Sequence, residues 1–135
     1  MRKSKRKDGR LFTELVDILE RLRGPKGCPW DKKQDHGKLI KYLFSEAEEV
    51  KDAVRKKDWK NLQEELGDIL LQVVFHSQIA KEKGLFDISD VVATINSKLI
   101  RRHPHVFGGI KVKDHKEVIK LWKKIKLEEK AAAKK

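Results

Sequence analysis

One cysteine, Cys28, occurs in 135 residues, so no disulfide can form within the chain. It has neither a second cysteine nor paired histidines at a zinc-type spacing. Prolines number three and aromatic residues make up 7%. No apolar run reaches the ~20 residues that a membrane span needs. Behind the charges of MRKSKRKDGR there is no apolar stretch of the kind a secretory signal carries. These absences argue against a disulfide-stapled scaffold and a helical membrane protein, and the expected compartment is the reducing cytoplasm. Runs with strand-like alternation are few as well.

What the chain does have is charge. Charged residues make up 40% of it, which suits a helical domain with long Lys and Glu side chains on its outside. The formal net charge of +12 is concentrated at two ends: residues 1–10 carry +5 and residues 111–135 carry +6, leaving +1 for the body. Ends of this kind read as solubilising surface rather than as a specific nucleic-acid footprint, because charge speaks to partners and not to fold. The length suits one domain with a modest core. The expected organisation is a basic tail over 1–10, a helical domain over 11–130 and a short tail over 131–135.

Apolar periodicity predicts a first helix from about Leu11 to Arg23, ended by Gly24 and Pro25. The loop GPKGCPWDKKQDHG follows. A second helix is expected over roughly 38–56, and the polar KKD at 56–58 leads into the longest one, near 59–83. Its expected apolar stripe is Leu62, Leu66, Ile69, Leu70, Val73 and Ser77, with Gly84 just past the last turn. A shorter helix from Ile88 to Arg101 or Arg102, the breaking segment RRHPHVFGG, and a last helix from about Lys116 complete the chain. The fold class is all-α, an antiparallel bundle, because its two longest helices are joined by only a few residues.

The second helix contains an anomaly. Leu39, Leu43, Glu46, Val50 and Ala53 follow one three-and-four spacing, so Glu46 stands in line with core residues. An ionised carboxylate there needs a partner or a proton. Glu49 lies beside it at a spacing of three, and the third helix repeats the spacing with Glu65 and Asp68. Two antiparallel helices each offering such a pair to one seam would gather four negative charges. A hard divalent cation relieves that repulsion, and an all-oxygen donor set suits Mg²⁺, with Mn²⁺ as the alternative, better than zinc. A buried lysine or arginine beside Glu46 is the competing explanation. Glu48 points to the opposite face and reads as a surface partner of Lys51.

The segments LRGPKGCPWDKKQ at 22–34, ExxE at Glu46 and Glu49, ExxD at Glu65 and Asp68 within EELGDILLQVVFH, KLIRRHPHVFG at 98–108 and WKKIKLEE at 122–129 stand in one order along the chain. In that order and spacing the chain resembles the MazG family of all-α nucleoside triphosphate pyrophosphohydrolases, over nearly all of residues 11–130. The resemblance implies hydrolysis of nucleoside triphosphates between the α and β phosphates to monophosphate and pyrophosphate. It implies Mg²⁺ held by Glu46, Glu49, Glu65 and Asp68, with the general base unassigned among these four. It implies phosphate binding by Lys98, Arg101, Arg102 and Lys126, with Trp122 near the nucleotide. It also implies a bundle completed by dimerisation, as a homodimer or a dimer of dimers. Where the family often has a further glutamate directly before the first ExxE position, this chain has Ser45, which offers no carboxylate.

Other residues read more plainly. Cys28, Pro29 and Trp30 are expected to be structural, with Trp30 a buried plug. His103 and His105 flank Pro104 in what reads as a packing turn, and His76 as a satisfied core or interface histidine. The competing function is a basic helical nucleic-acid-binding or regulatory module with a vestigial acidic site. Such a module would lose affinity for duplex steeply as salt rises.

Overall fold

The computed structural model describes residues 2–134, with side chains from Lys7 onward. Met1 and Lys135, the outer ends of the two expected tails, lie outside the described residues. Seven helices are described, α1 (Arg2–Leu22), α2 (Pro29–Lys32), α3 (His36–Lys56), α4 (Trp59–Glu82), α5 (Ile88–Arg102), α6 (Pro104–Phe107) and α7 (His115–Ala133), and no strand occurs among the described residues. The chain divides into two compact units, residues 1–88 and 89–135.

Helix α1 begins at Arg2 and so takes in most of the residues expected to form a basic tail. Lys and Arg are good helix formers, and extension costs little once the apolar stretch from Leu11 has nucleated the helix. The loop after α1 contains the short helix α2, with Pro29 at its first position. Aspartates start the next two long helices. Asp35 accepts from the Lys38 N–H at 2.8 Å at the head of α3, and Asp58 accepts from the Asn61 N–H at 3.2 Å at the head of α4. Between α3 and α4, Lys57 adopts φ 56°, a left-handed conformation that glycine usually supplies, and the Asp58 N–H returns to the Ala53 carbonyl at 3.0 Å. The chain therefore reverses within two residues. His36 meets His76 and Glu46 meets Glu65, so residue numbers rise on one helix as they fall on the other, and α3 and α4 are antiparallel.

The core of the first unit is Leu19 of α1, Leu39 of α3 and Val74, Phe75 and Ile79 of α4, with Phe12, Leu15, Val16, Tyr42, Leu71 and Ile88 packed around them. This corrects the expected stripe of α4. Ser77 is buried, but Leu66, Leu70 and Val73 are 51%, 40% and 37% exposed. The face of α4 turned to α3 instead carries Glu65, Asp68, Gln72 and His76. The seam therefore carries a polar row alongside the apolar cluster of Leu39, Val74, Phe75 and Ile79, and Leu66, Leu70 and Val73 lie outside it.

Arg23 fastens the loop to this unit. Its guanidinium donates to both carboxylate oxygens of Glu82 at 2.8 and 2.9 Å, and to the carbonyls of Asp31 and Gln34. It also lies over the Phe75 ring, 5.6 Å from the centroid. Trp30 is not the buried plug expected: it is half exposed and meets Tyr42 edge-on at 5.7 Å.

The second unit comprises most of α5 with α6 and α7. Asp114 caps α7 by accepting from the Glu117 N–H, while Glu117 accepts from the Lys113 N–H. Ile125 is its one fully buried hydrophobic residue among those described.

Candidate metal centre

Glu46 stands midway along α3, in line with buried Leu39 and Ala53, and this register carries it into the seam. Opposite it, Glu65 and Asp68 lie one turn apart on α4. One carboxylate oxygen from each of Glu46, Glu65 and Asp68 lies within 4.8 Å of the others, and all three residues are half-buried. Three carboxylates thus converge from two helices. Glu49, one turn further along α3, is exposed and stands outside this group of three.

The electrostatics of the group are those of crowded like charges. The Glu46 carboxyl is pushed up from 4.5 to about 7, first by its hydrogen-bonding contact with Glu65, then by burial, and then by the negative charges of Asp68, Glu65 and Glu49. Glu46 Oε2 is buried and has no hydrogen-bond partner among the described residues. No lysine or arginine forms an ion pair with Glu46, Glu65 or Asp68 among the described residues, so the competing explanation by a basic partner is not met. An orphaned carboxylate oxygen within a convergent set of oxygens fits a hard cation. Glu48 faces away and approaches Lys51 at 4.0 Å, the surface pairing expected of it.

One unpartnered polar group and one polar contact continue the seam. Gln72 is buried with Oε1 unpartnered among the described residues, and His76 Nδ1 lies 2.7 Å from His36 Nδ1, the rings stacked within 4° of parallel. Burial and the neighbouring His36 both lower the His76 pKa. His36 carried no signal in the sequence, because it falls at the junction of a loop and a helix start; only the antiparallel register brings it to His76.

The basic residues singled out from the sequence all belong to the second unit: Lys98, Arg101 and Arg102 on α5, Trp122 and Lys126 on α7. Arg101 and Arg102 both bond to Glu129. Those two guanidiniums, Arg102 foremost, hold the Glu129 carboxyl down at about 2. Trp122 is half-buried and edge-on to His103, whose ring also lies against His105. Lys126 is exposed.

The family model for the MazG nucleotide pyrophosphohydrolase domain matches residues 34–107, which reach from before α3 through α6. The chain belongs to the MazG family. A MazG protein of Thermotoga maritima named as a nucleoside triphosphate pyrophosphohydrolase/pyrophosphatase is 52% identical over 126 residues, covering 93% of this chain and 48% of that protein. The nucleoside triphosphate pyrophosphohydrolase of Escherichia coli K12 is 48% identical over 118 residues, covering 87% of this chain and 45% of the relative. The chain therefore spans about half the length of these curated relatives. The crystal structure of a MazG-related protein from Thermotoga maritima superimposes with a TM-score of 0.70 at 35% identity, covering 84% of this chain and 97% of that one. The all-helical MazG architecture is thus shared.

Proposed function

We propose that this MazG domain hydrolyses nucleoside triphosphates between the α and β phosphates, releasing monophosphate and pyrophosphate. The observation that carries the reading is the convergence of Glu46, Glu65 and Asp68 on one another with Glu46 Oε2 left unpartnered. In this reading Glu46, Glu65 and Asp68, with Glu49 one turn away, hold Mg²⁺, with Mn²⁺ as the alternative. Bound there, the cation would neutralise phosphate oxygens and make water easier to deprotonate.

The chain's own residues supply the rest. A triphosphate carries about four negative charges, and Lys98, Arg101, Arg102 and Lys126 are the cations assigned to them. Trp122 is assigned to the nucleotide. Water adds its oxygen to phosphorus as the P–O bond of the bridge breaks. Its proton passes to a base among Glu46, Glu49, Glu65 and Asp68.

The active form in this reading is a homodimer or a dimer of dimers in the cytoplasm. One observation supports association: Ile40, Phe44 and Val54 of α3 and Leu66, Leu70 and Val73 of α4 are exposed, and large apolar side chains left open in number mark an interaction surface where they adjoin. No described helix is long and apolar enough to cross a membrane.

The deciding experiment incubates the chain with each common ribo- and deoxyribonucleoside triphosphate and Mg²⁺, with and without EDTA, and separates the products. Monophosphate plus pyrophosphate, lost with EDTA, is the expected result. Diphosphate plus orthophosphate would move the cleavage point, and absence of product with every nucleotide would end the reading for these substrates.

A further inference from the structure

Glu129 of α7 bridges two consecutive arginines of α5. Its Oε2 accepts from Arg101 Nε at 2.5 Å and its Oε1 from Arg102 Nη2 at 3.0 Å. The Arg102 and Glu129 side chains are 22% and 24% exposed, so this pair is better shielded than an ordinary surface ion pair; Arg101 is half open. Consecutive helical residues point about 100° apart, so two neighbouring guanidiniums converge only when something holds them. A single carboxylate with two oxygens does so here.

Arg102 spends Nη2 on Glu129, while its Nε is buried and has no partner among the described residues. The same is true of Trp122 Nε1. The Trp122 ring stands 5.4 Å from that of His103, the chain neighbour of Arg102. Two buried N–H donors without an acceptor in one small unit are costly, and an anionic oxygen is the acceptor that satisfies them best.

Resting on the reading that Arg101 and Arg102 bind substrate phosphate, we propose that Glu129 is a positioning residue. It sets the planes of both guanidiniums, so that the N–H groups of Arg102 that Glu129 does not take are held in place for a phosphate oxygen. A carboxylate suits this role because it accepts from both arginines at once, whereas the NH₂ of a glutamine would oppose one of them. The sign of the effect separates this role from a simpler one. If Glu129 only competed with phosphate, removing its charge would tighten phosphate binding. Positioning demands the reverse.

The test titrates the full chain with inorganic tripolyphosphate in Mg²⁺ by calorimetry, and measures KM and kcat for the triphosphate hydrolysed fastest. Glu129→Gln is expected to weaken tripolyphosphate binding and raise KM about tenfold, with kcat within about twofold. Glu129→Asp, which keeps both acceptors on a shorter stem, falls between at roughly two- to threefold. In an Arg102→Ala background, Glu129→Gln adds little, because the two act through one group. Tighter or unchanged binding in Glu129→Gln overturns the inference, as does a fall in kcat at constant KM. Should Glu129→Gln not fold, Glu129→Asp decides, and a wild-type KM there overturns it. Arg102→Ala distinguishes the two levels: if it leaves tripolyphosphate binding and KM unchanged, the phosphate reading itself fails. Weakening by Arg102→Ala without weakening by Glu129→Gln rejects the role of Glu129 alone.

Discussion

The Nδ1 atoms of His36 and His76 lie 2.7 Å apart, with the two rings stacked nearly parallel. At that distance one nitrogen donates and the other accepts, so only one proton can sit between them. This contact ties the first turn of α3 to the C-terminal half of α4, at the opposite end of the seam from the tight turn at Lys57 and Asp58.

A pH dependence of stability follows from it. His76 has its pKa lowered below 6.5 in the fold by burial and by His36. Its stabilising contribution is therefore fully present above about pH 6.5 and declines as pH falls, because the unfolded chain takes up a proton that the folded chain refuses. In thermal melts in EDTA from pH 8 to 5, where Glu46 acts in the opposite direction, the Tm of His76→Asn should rise relative to that of the parent as pH falls below 6.5. A constant difference between the two across that range would sink the assignment.

Glu46 has the opposite sign. Its folded pKa is raised from 4.5 to about 7, so its cost is absent below pH 4.5 and grows as pH rises to about 7. Metal-free Glu46→Gln should consequently melt above the parent at pH 8 by roughly 4 °C, the shift that ~1 kcal/mol gives in a domain of this size. Added Mg²⁺ should raise the Tm of the parent and scarcely that of Glu46→Gln. A variant that melts at or below the parent at pH 8 would count against a repulsive, metal-ready cluster.

The carboxylates should also differ in their weight in turnover. Glu46→Ala and Asp68→Ala are expected to lower kcat by ~100-fold or more while circular dichroism stays helical. Glu49→Ala should lose less, because Glu49 is exposed and stands outside the convergent three. Steady-state rates at saturating Mg²⁺ rank them, and a Glu49→Ala loss as deep as that of Asp68→Ala would show that four ligands act as one set.

Arg23 is the most heavily bonded side chain of the first unit. It serves Glu82, two loop carbonyls and the Phe75 ring, with its side chain only 8% exposed. Arg23→Ala should destabilise by roughly 3 kcal/mol, since it strands carbonyls and a carboxylate that have no other donor of this shape. Arg23→Lys should recover little, because an ammonium cannot reproduce the planar fork. Urea denaturation measures both, and a lysine variant as stable as the parent would refute the fork argument.

Much of the helical layout was legible beforehand because it depends on local signals. The apolar spacing of α3, the Asp58 start of α4, Gly84 after it and the glycine and proline punctuation of the loop all act within a few residues. Glu46 stood out for the same reason, as a carboxylate in an apolar register. The rotation of α4 did not. Leu62, Leu66, Ile69, Leu70 and Val73 form the better apolar stripe on paper, but α3 takes the face with Glu65, Asp68, Gln72 and His76 and leaves Leu66, Leu70 and Val73 open. Periodicity reports that a face is apolar and is silent about which neighbour covers it.

The sequence by itself determined the all-helical class, the anomalous register of Glu46 and the family to which the chain belongs, because each is written in spacing along one strand of residues. Only the tertiary structure decided that three of the four carboxylates converge, that His36 meets His76, that Trp30 stays half exposed and that Glu129 gathers two arginines. Those relationships join residues 19 to 40 positions apart or depend on how far a helix turns before it packs, and no local propensity encodes either.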